Sequence, residues 1–313
     1  MINPRSFRSA WLGYARRATR LAAAAGIEVF RVVDPVGLGV LLAGLRERRQ
    51  QQIWILAGDG TVHALAEYFA EQPEADWSPA LLLLAGGRAN VVPRESGGYP
   101  AMPALRRALA ALTARRKLAE QRLYTLRVSQ AGQPERHGFL FAGAMVYEGV
   151  RLCAEHRAAG SGWLHRSFFA DPYVLLKLAV QVLVGRSPLP PYPEVAARVT
   201  GLGEMRAPLR VLLASTLGLR AALYNPFAER GAGPVRLTAV AATAPRFWRH
   251  LPAILGGRFD AAMDLAAGYL SGRGERAELL GVAGYALDGE TFPSDPARPL
   301  VLSPGIALRI LRP

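Results

Sequence analysis

The sequence predicts an α/β domain built on a parallel sheet, followed by a mostly β domain. Up to about residue 122, short apolar runs alternate with segments of helical spacing, as expected of a parallel sheet covered on both faces. Beyond that point strand-like runs follow one another, separated by Gly and Pro turns. The chain has 313 residues, 51% of them hydrophobic, which is enough for two ordinary cores.

The opening Met1-Ile2-Asn3-Pro4-Arg5-Ser6 is an apolar stub entering a turn, and Trp11 to Ala25 is Ala- and Arg-rich with helical spacing. Ile27 to Val33 alternates as a strand, Gly37 to Gln52 reads as a helix with a basic outer face, and Ile53 to Ala57 as a short buried strand. Gly58-Asp59-Gly60-Thr61 then leads into Val62 to Ala70, where Val62, Leu65, Ala66 and Phe69 share one helical face. The apolar run Ala80 to Ala85 ends in Gly86-Gly87, and a helix follows from roughly Met102 to Leu118. In the second part Arg122 to Gln130, Gly138 to Ala142, Leu209 to Ala214, Val235 to Ala242, Arg276 to Leu287 and Leu300 to Leu311 read as strands. Arg166 to Val184 interrupts them as a helix apolar almost all round, which must be buried or face lipid.

Lys plus Arg number 38 against 24 Asp plus Glu, a net charge of +14, and only Lys117 and Lys177 are lysines. Such an excess points to an anionic partner. It does not sit in one tail, since residues 1 to 120 carry 16 basic against 10 acidic side chains and the rest 22 against 14. The Arg clusters at Arg16, Arg17 and Arg20, at Arg46, Arg48 and Arg49, and at Arg106, Arg107, Arg115 and Arg116 lack interleaved aromatics for base stacking, which argues against nucleic acid. They read as solvated faces or as attraction to an anionic membrane surface. The single Cys153 can form no internal disulfide and the start shows no signal-sequence pattern, so the cytoplasm is expected. Tyr173 to Gly185, the longest apolar run, is interrupted by Lys177 and falls short of the roughly 20 residues a transmembrane helix needs.

The sequence contains no H-E-x-x-H, C-x-x-C, G-x-S-x-G, G-x-x-x-x-G-K-[ST] or G-x-G-x-x-G pattern, so zinc hydrolases, serine hydrolases, P-loop kinases and Rossmann dehydrogenases lose support. His63, His137, His156, His165 and His250 are scattered and read as ordinary packed or surface histidines. What remains is Gly58-Asp59-Gly60-Thr61 between a buried strand and a helix. Glycines there let backbone N–H groups approach a phosphate, the helix N-terminus adds partial positive charge, and Asp59 can orient a metal or the phosphate chain. A plain strand-to-helix turn with Thr61 as N-cap explains the tetrapeptide equally well by itself.

Further segments, in order along the chain, carry a family resemblance. Asn3-Pro4-Arg5-Ser6 looks like an N-P-x-S-G opening, Ala57 to Thr61 like G-G-D-G-T, and Gly86 to Arg94 like L-G-T-A-N-D-F-A-R. Leu287-Asp288-Gly289-Glu290 looks like a late D-G-E, and Leu302 to Leu311 like a closing strand with its P-G turn. In this order the motifs resemble the diacylglycerol kinase catalytic domain family, which includes sphingosine kinases and bacterial lipid kinases.

The resemblance implies a nucleotide-binding α/β domain at 1–122, rejoined by the closing segment 300–313, and a β-sandwich lipid-substrate domain at 123–299. It implies an ATP-dependent lipid kinase using Mg2+, with a diacylglycerol-like or sphingoid-like alcohol as substrate, working in the cytoplasm at the inner face of an anionic membrane. Gly58, Asp59, Gly60 and Thr61 would hold ATP phosphates and magnesium, Asn3 and Ser6 would sit by the nucleotide, and Gly87, Arg88 and Asn90 would belong to a second nucleotide loop. Asp288 would be the general base, with Glu290 on the metal beside Asp59. The sequence departs from the family pattern at Phe7, Ala57, Arg88 and Val91, has His63 and Ala64 in place of Asn and Glu, and reads Gly143 to Gly149 without the usual aspartate. NAD kinase, which shares the first glycine loop, and a catalytically silent nucleotide- or lipid-binding relative remain alternatives, and a homodimer is left open.

Overall fold

The computed structural model describes residues 1–72, 77–159, 191–219 and 224–313. In chain order the first part contains α1 (Phe7–Trp11), α2 (Tyr14–Ala24), α3 (Pro35–Glu47), β1 (Gln52–Ala57), α4 (Asp59–Ala70), β2 (Ala80–Ala85), α5 (Val91–Glu95) and α6 (Ala101–Thr113). There follow β3 (Ala119–Gln130), β4 (Arg136–Gly138), β5 (Leu140–Gly143), α7 (Ala144–Ala159), β6 (Glu194–Val199), β7 (Gly203–Ser215), β8 (Val235–Ala241) and α8 (Phe247–Leu255). The chain closes with β9 (Tyr269–Gly274), β10 (Ala277–Leu280), β11 (Gly284–Leu287), β12 (Glu290–Pro293) and β13 (Leu300–Arg312).

β1 and β2 are parallel from Gln52↔Ala80 to Ala57↔Ala85, so both deliver their C-terminal glycines to the same end of the sheet. β2 is buried at every position, as expected of a parallel strand covered on both faces. On one face α3 and α4 pack Leu38, Leu42, Leu65 and Phe69 against Ile53, Ile55, Leu81 and Leu83. On the other, α2 and α6 pack Ala18, Ala104, Leu105 and Ala108 against Leu56, Leu82 and Leu84.

β13 pairs parallel with β2 at Ile310↔Leu81 and antiparallel with β3 from Leu300↔Gln130 to Arg312↔Ala119, so the closing segment lies in the sheet begun by β1 and β2. Among the described residues all thirteen strands form one hydrogen-bonded network, ordered β1-β2-β13-β10-β6-β7-β5-β11-β12, with β3, β4, β8 and β9 branching from it. β7 holds the network together, because residues up to Pro208 pair with β6 while Leu209 onward pairs with β5 and β8. A strand that changes partners at a bend is one way for a long sheet to turn onto itself. The fold is therefore mixed α/β with a single large sheet.

Several expected elements differ in detail. The helix expected over Trp11 to Ala25 is two helices, broken at Gly13, whose φ of 62° lies outside the helical region. Ile27 to Val33 forms only an isolated bridge, Ile2↔Arg31, because its neighbour is the short stub before Asn3-Pro4. Arg276 to Leu287 is not one strand, since the turn at Gly281 (φ 95°) sends β10 to β6 and β13 while β11 goes to β5 and β12. β6, β9, β12, α7 and α8 were not anticipated, and the apolar helix expected at Arg166 to Val184 lies outside the described residues. No helix among the described residues is long and apolar enough to cross a membrane.

Candidate active site

Three chain segments interlock at the C-terminal end of β1 and β2. Ser6 Oγ accepts the Gly58 N–H at 3.0 Å, the Gly86 carbonyl accepts the Arg8 N–H at 2.8 Å, and Asn3 Nδ2 donates to Thr61 Oγ1 at 3.0 Å. The helix α4 starts at Asp59 itself, with Gly58 as its extended N-cap, rather than at Val62. Asp59 thus lies in the first turn, and its carboxylate faces the other glycine loop. Oδ2 accepts the Asn90 N–H at 2.8 Å and Oδ1 the Val91 N–H at 2.9 Å, so one side chain caps α5 and clamps the two loops together.

The loops meet backbone to backbone. A Cβ on Gly87 would stand 2.6 Å from the Gly58 Cα, a distance that real Cβ atoms do not reach, so glycine is required where the loops touch. Asn90, in the left-handed region at φ 53°, is fully buried and spends its amide on its own loop, accepting from Gly87 N and donating to the Gly87 and Arg88 carbonyls. The Arg88 guanidinium stacks over the Phe7 ring, 4.8 Å from its centroid. Between these segments opens a cleft of about 450 Å³, lined by Ser6, Phe7, Trp11, Asp59, Gly87 and Arg88 among others. The first helical turn of α4 opens onto it, an arrangement suited to phosphate.

Asp288 reaches the site from the far end of the sequence. Asp288 (φ 53°) and Gly289 (φ 92°) form the two-residue turn joining β11 to β12, with Leu287 paired to Glu290. The turn aims the Asp288 carboxylate at the start of β5, where Oδ1 accepts the Leu140 N–H at 2.9 Å and the Phe139 N–H is shared between both oxygens at 3.0 and 3.1 Å. Gly138 admits it, because a Cβ there would lie 2.5 Å from Asp288 Oδ2. Glu290 stands at the rim, its side chain 55% exposed, and a Cβ on Gly60 would lie 3.9 Å from its Oε1.

His63 connects the two halves. Its Nδ1 is 3.2 Å from Asp288 Oδ2, and its Nε2 is 3.7 Å from Glu290 Oε2 and 3.8 Å from Glu67 Oε1. Burial lowers the His63 pKa, but the hydrogen bond and charge of Asp288, with the charges of Glu290 and Glu67, outweigh it and raise the pKa above the usual histidine value. Asp59 is raised as well, by burial first, against the lowering effect of the Asn90 and Val91 amides and with a further rise from the Asp288 charge. Asp59, 229 positions before Asp288 in the chain, therefore senses its charge. Tyr224 also senses Asp59, although burial is the larger cause of its raised pKa.

Ser6, Gly58, Asp59, Gly60, Gly87 and Arg88 line one cleft, Asn3, Thr61 and Asn90 brace the loops around it without lining it, and Asp288 and Glu290 approach through His63. Sequence reasoning left out His63 and Glu67. Their spacing was a usable signal, since Asp59, His63 and Glu67 recur every four residues along one face of α4. Glu148, within the segment Gly143 to Gly149, pairs with Arg151 at 2.8 Å within α7. Among the described residues no group of three or more His, Cys, Asp or Glu side chains is placed to hold a metal ion by itself. Of the two carboxylates at the Gly60 turn, Glu290 is exposed, while both Asp59 oxygens already accept backbone amides.

No protein-family model matches the chain, and no curated protein does. Solved structures match it over its whole length. Three from Bacillus anthracis str. Sterne, each carrying the name diacylglycerol kinase, superpose with TM-scores of 0.64, 0.63 and 0.60 at 14%, 11% and 13% identity. Each alignment covers 100% of this chain and 95% of the other. The chain has the fold of those structures.

Proposed function

We propose that the protein is an ATP-dependent lipid kinase that phosphorylates the hydroxyl of a diacylglycerol-like or sphingoid-like lipid. The observation that carries the reading is the convergence of the Asp288 turn, through His63, on the cleft between the two glycine loops. Phosphoryl transfer needs mostly positioning and charge neutralisation, and this residue set offers both. The first turn of α4 and the loop at Gly87 and Arg88 hold the phosphate chain, with Asn3 and Ser6 fixing the loop that carries Asp59. Glu290 and Asp59 would hold magnesium, which would supply charge neutralisation for the transferring group.

Asp288 takes the proton of the lipid hydroxyl on Oδ2, the oxygen facing His63, while Oδ1 stays tied to the Leu140 amide. In this reading residues 1–122 with 300–313 form the nucleotide-binding part and 123–299 the lipid part, and the enzyme works in the cytoplasm at the inner face of the membrane. The names of the fold neighbours support the reaction class.

The test offers γ-labelled ATP and magnesium with diacylglycerol, monoacylglycerol, ceramide and sphingosine in mixed micelles, and with NAD in parallel. Label in a lipid is the expected result and identifies the alcohol. Label in NAD would replace the reading with NAD kinase, and no labelled product despite bound ATP would replace it with a silent relative.

A further inference from the structure

We propose that the helical layer formed by α2 and α6 is the face by which the protein lies on an anionic lipid bilayer, an inference that rests on the lipid-kinase reading above. Residues 1–27 contain five arginines and no acidic residue, and residues 101–119 contain four arginines and Lys117 and again no acidic residue. These segments are far apart in sequence, yet α2 and α6 lie side by side and bury their small residues in one shared cluster. Folding thus sets the five arginines of α2 and α6, two helices without an acidic residue, on one layer. Arg16, Arg17 and Arg20 on α2 and Arg106 and Arg107 on α6 are all exposed, and among the described residues none of the five pairs with a carboxylate.

Several surface arginines elsewhere are paired. Arg198 faces Glu204, Arg206 faces Glu194 and Arg276 faces Glu278, at 3.9, 3.0 and 2.6 Å. A basic face with its own acids removed is complementary to phosphate headgroups, and its attraction is strongest at low salt. Apolar anchors stand beside it. Trp11 is 63% exposed and Leu12 49% exposed at the joint between α1 and α2, and Trp11 also lines the cleft. An exposed tryptophan next to arginines is the pairing that settles at a bilayer interface, and here it would bring the cleft mouth to the surface where a lipid alcohol resides. Those apolar groups at the cleft favour a bilayer over a nucleic acid.

The experiment is sedimentation of the full chain with phosphatidylcholine vesicles, with and without phosphatidylglycerol, at low and high salt. It compares the wild type with Arg16→Glu/Arg20→Glu/Arg106→Glu, with the milder Gln replacements at those positions, and with a charge-matched control, Arg198→Glu/Arg206→Glu/Arg276→Glu. Wild type and control are expected to bind only anionic vesicles and to release in high salt. The face variant should bind on the order of 100-fold more weakly, with the Gln variant between them. Failure of the wild type to bind, equal loss in both Glu triples, or tighter binding to duplex RNA than to vesicles would each overturn the proposal.

A second readout separates this proposal from the kinase reading. The face variant should phosphorylate a dispersed short-chain diacylglycerol as fast as the wild type and lose rate only on vesicle-embedded substrate. Equal rates on both substrates would overturn the docking face and leave the kinase standing. Vesicle binding through this face with no turnover of either substrate would support the face and remove the kinase.

Discussion

Asp288→Asn is expected to lower phosphoryl transfer by about 10² to 10⁴-fold, the usual worth of a positioned general base, while nucleotide binding stays within a few fold of wild type. The carboxylate is held at the tip of a two-residue turn by the Phe139 and Leu140 amides and by His63. An asparagine keeps the shape and one acceptor, but it cannot take up a proton, and its NH2 group faces either a backbone donor or the His63 ring. The same change is therefore expected to cost about 1 to 3 kcal/mol of stability by leaving a donor unmatched. Single-turnover label transfer, read beside thermal unfolding, separates the two effects. A wild-type rate in a folded Asp288→Asn protein would remove Asp288 from the base role.

Asp59→Ala is the other change with a large expected effect, and it acts on structure as well as chemistry. It leaves the Asn90 and Val91 amides without their acceptor at the start of α5 and unclamps the two glycine loops. The expected loss of stability is about 2 to 4 kcal/mol, from two unmet amides. Nucleotide affinity should fall with it, because the second loop no longer has a fixed position against Gly58. Asp59→Asn should recover part of the stability, since its remaining oxygen still accepts one amide, but not the transfer rate. Denaturant unfolding with nucleotide titration makes the comparison, and unchanged stability in the alanine variant would mean that the clamp contributes nothing.

The parts of this architecture governed by local pattern were legible in the sequence. β1 and β2 were placed within one residue because a buried parallel strand is a continuous apolar run. The glycine loops were legible because a close backbone approach leaves almost no other residue type. Asp288 was singled out only through the D-G-E resemblance, and the structure places it in a two-residue turn that aims the carboxylate toward His63.

What escaped was set by pairing between distant segments. Whether Arg276 to Leu287 is one strand or two depends on β5, β6, β12 and β13, none of which leaves a mark in that window. His63 was passed over because an isolated histidine gains meaning only from Asp288, Glu290 and Glu67 around it. The arginine clusters looked dispersed along the chain, and only the neighbouring positions of α2 and α6 join two of them into one face.

The two facing glycine loops are expected to hold the phosphates of a nucleotide beside Asp288. A crystal structure with magnesium and a non-hydrolysable ATP analogue tests this most directly. The phosphate chain is expected within hydrogen-bonding distance of backbone N–H groups at Gly58 to Thr61 and at Gly87 and Arg88, with the terminal phosphate toward Asp288 and Glu290. A nucleotide seated instead in the larger groove of about 520 Å³ around Trp54, Arg115 and Arg309, at the opposite end of β1, would contradict it.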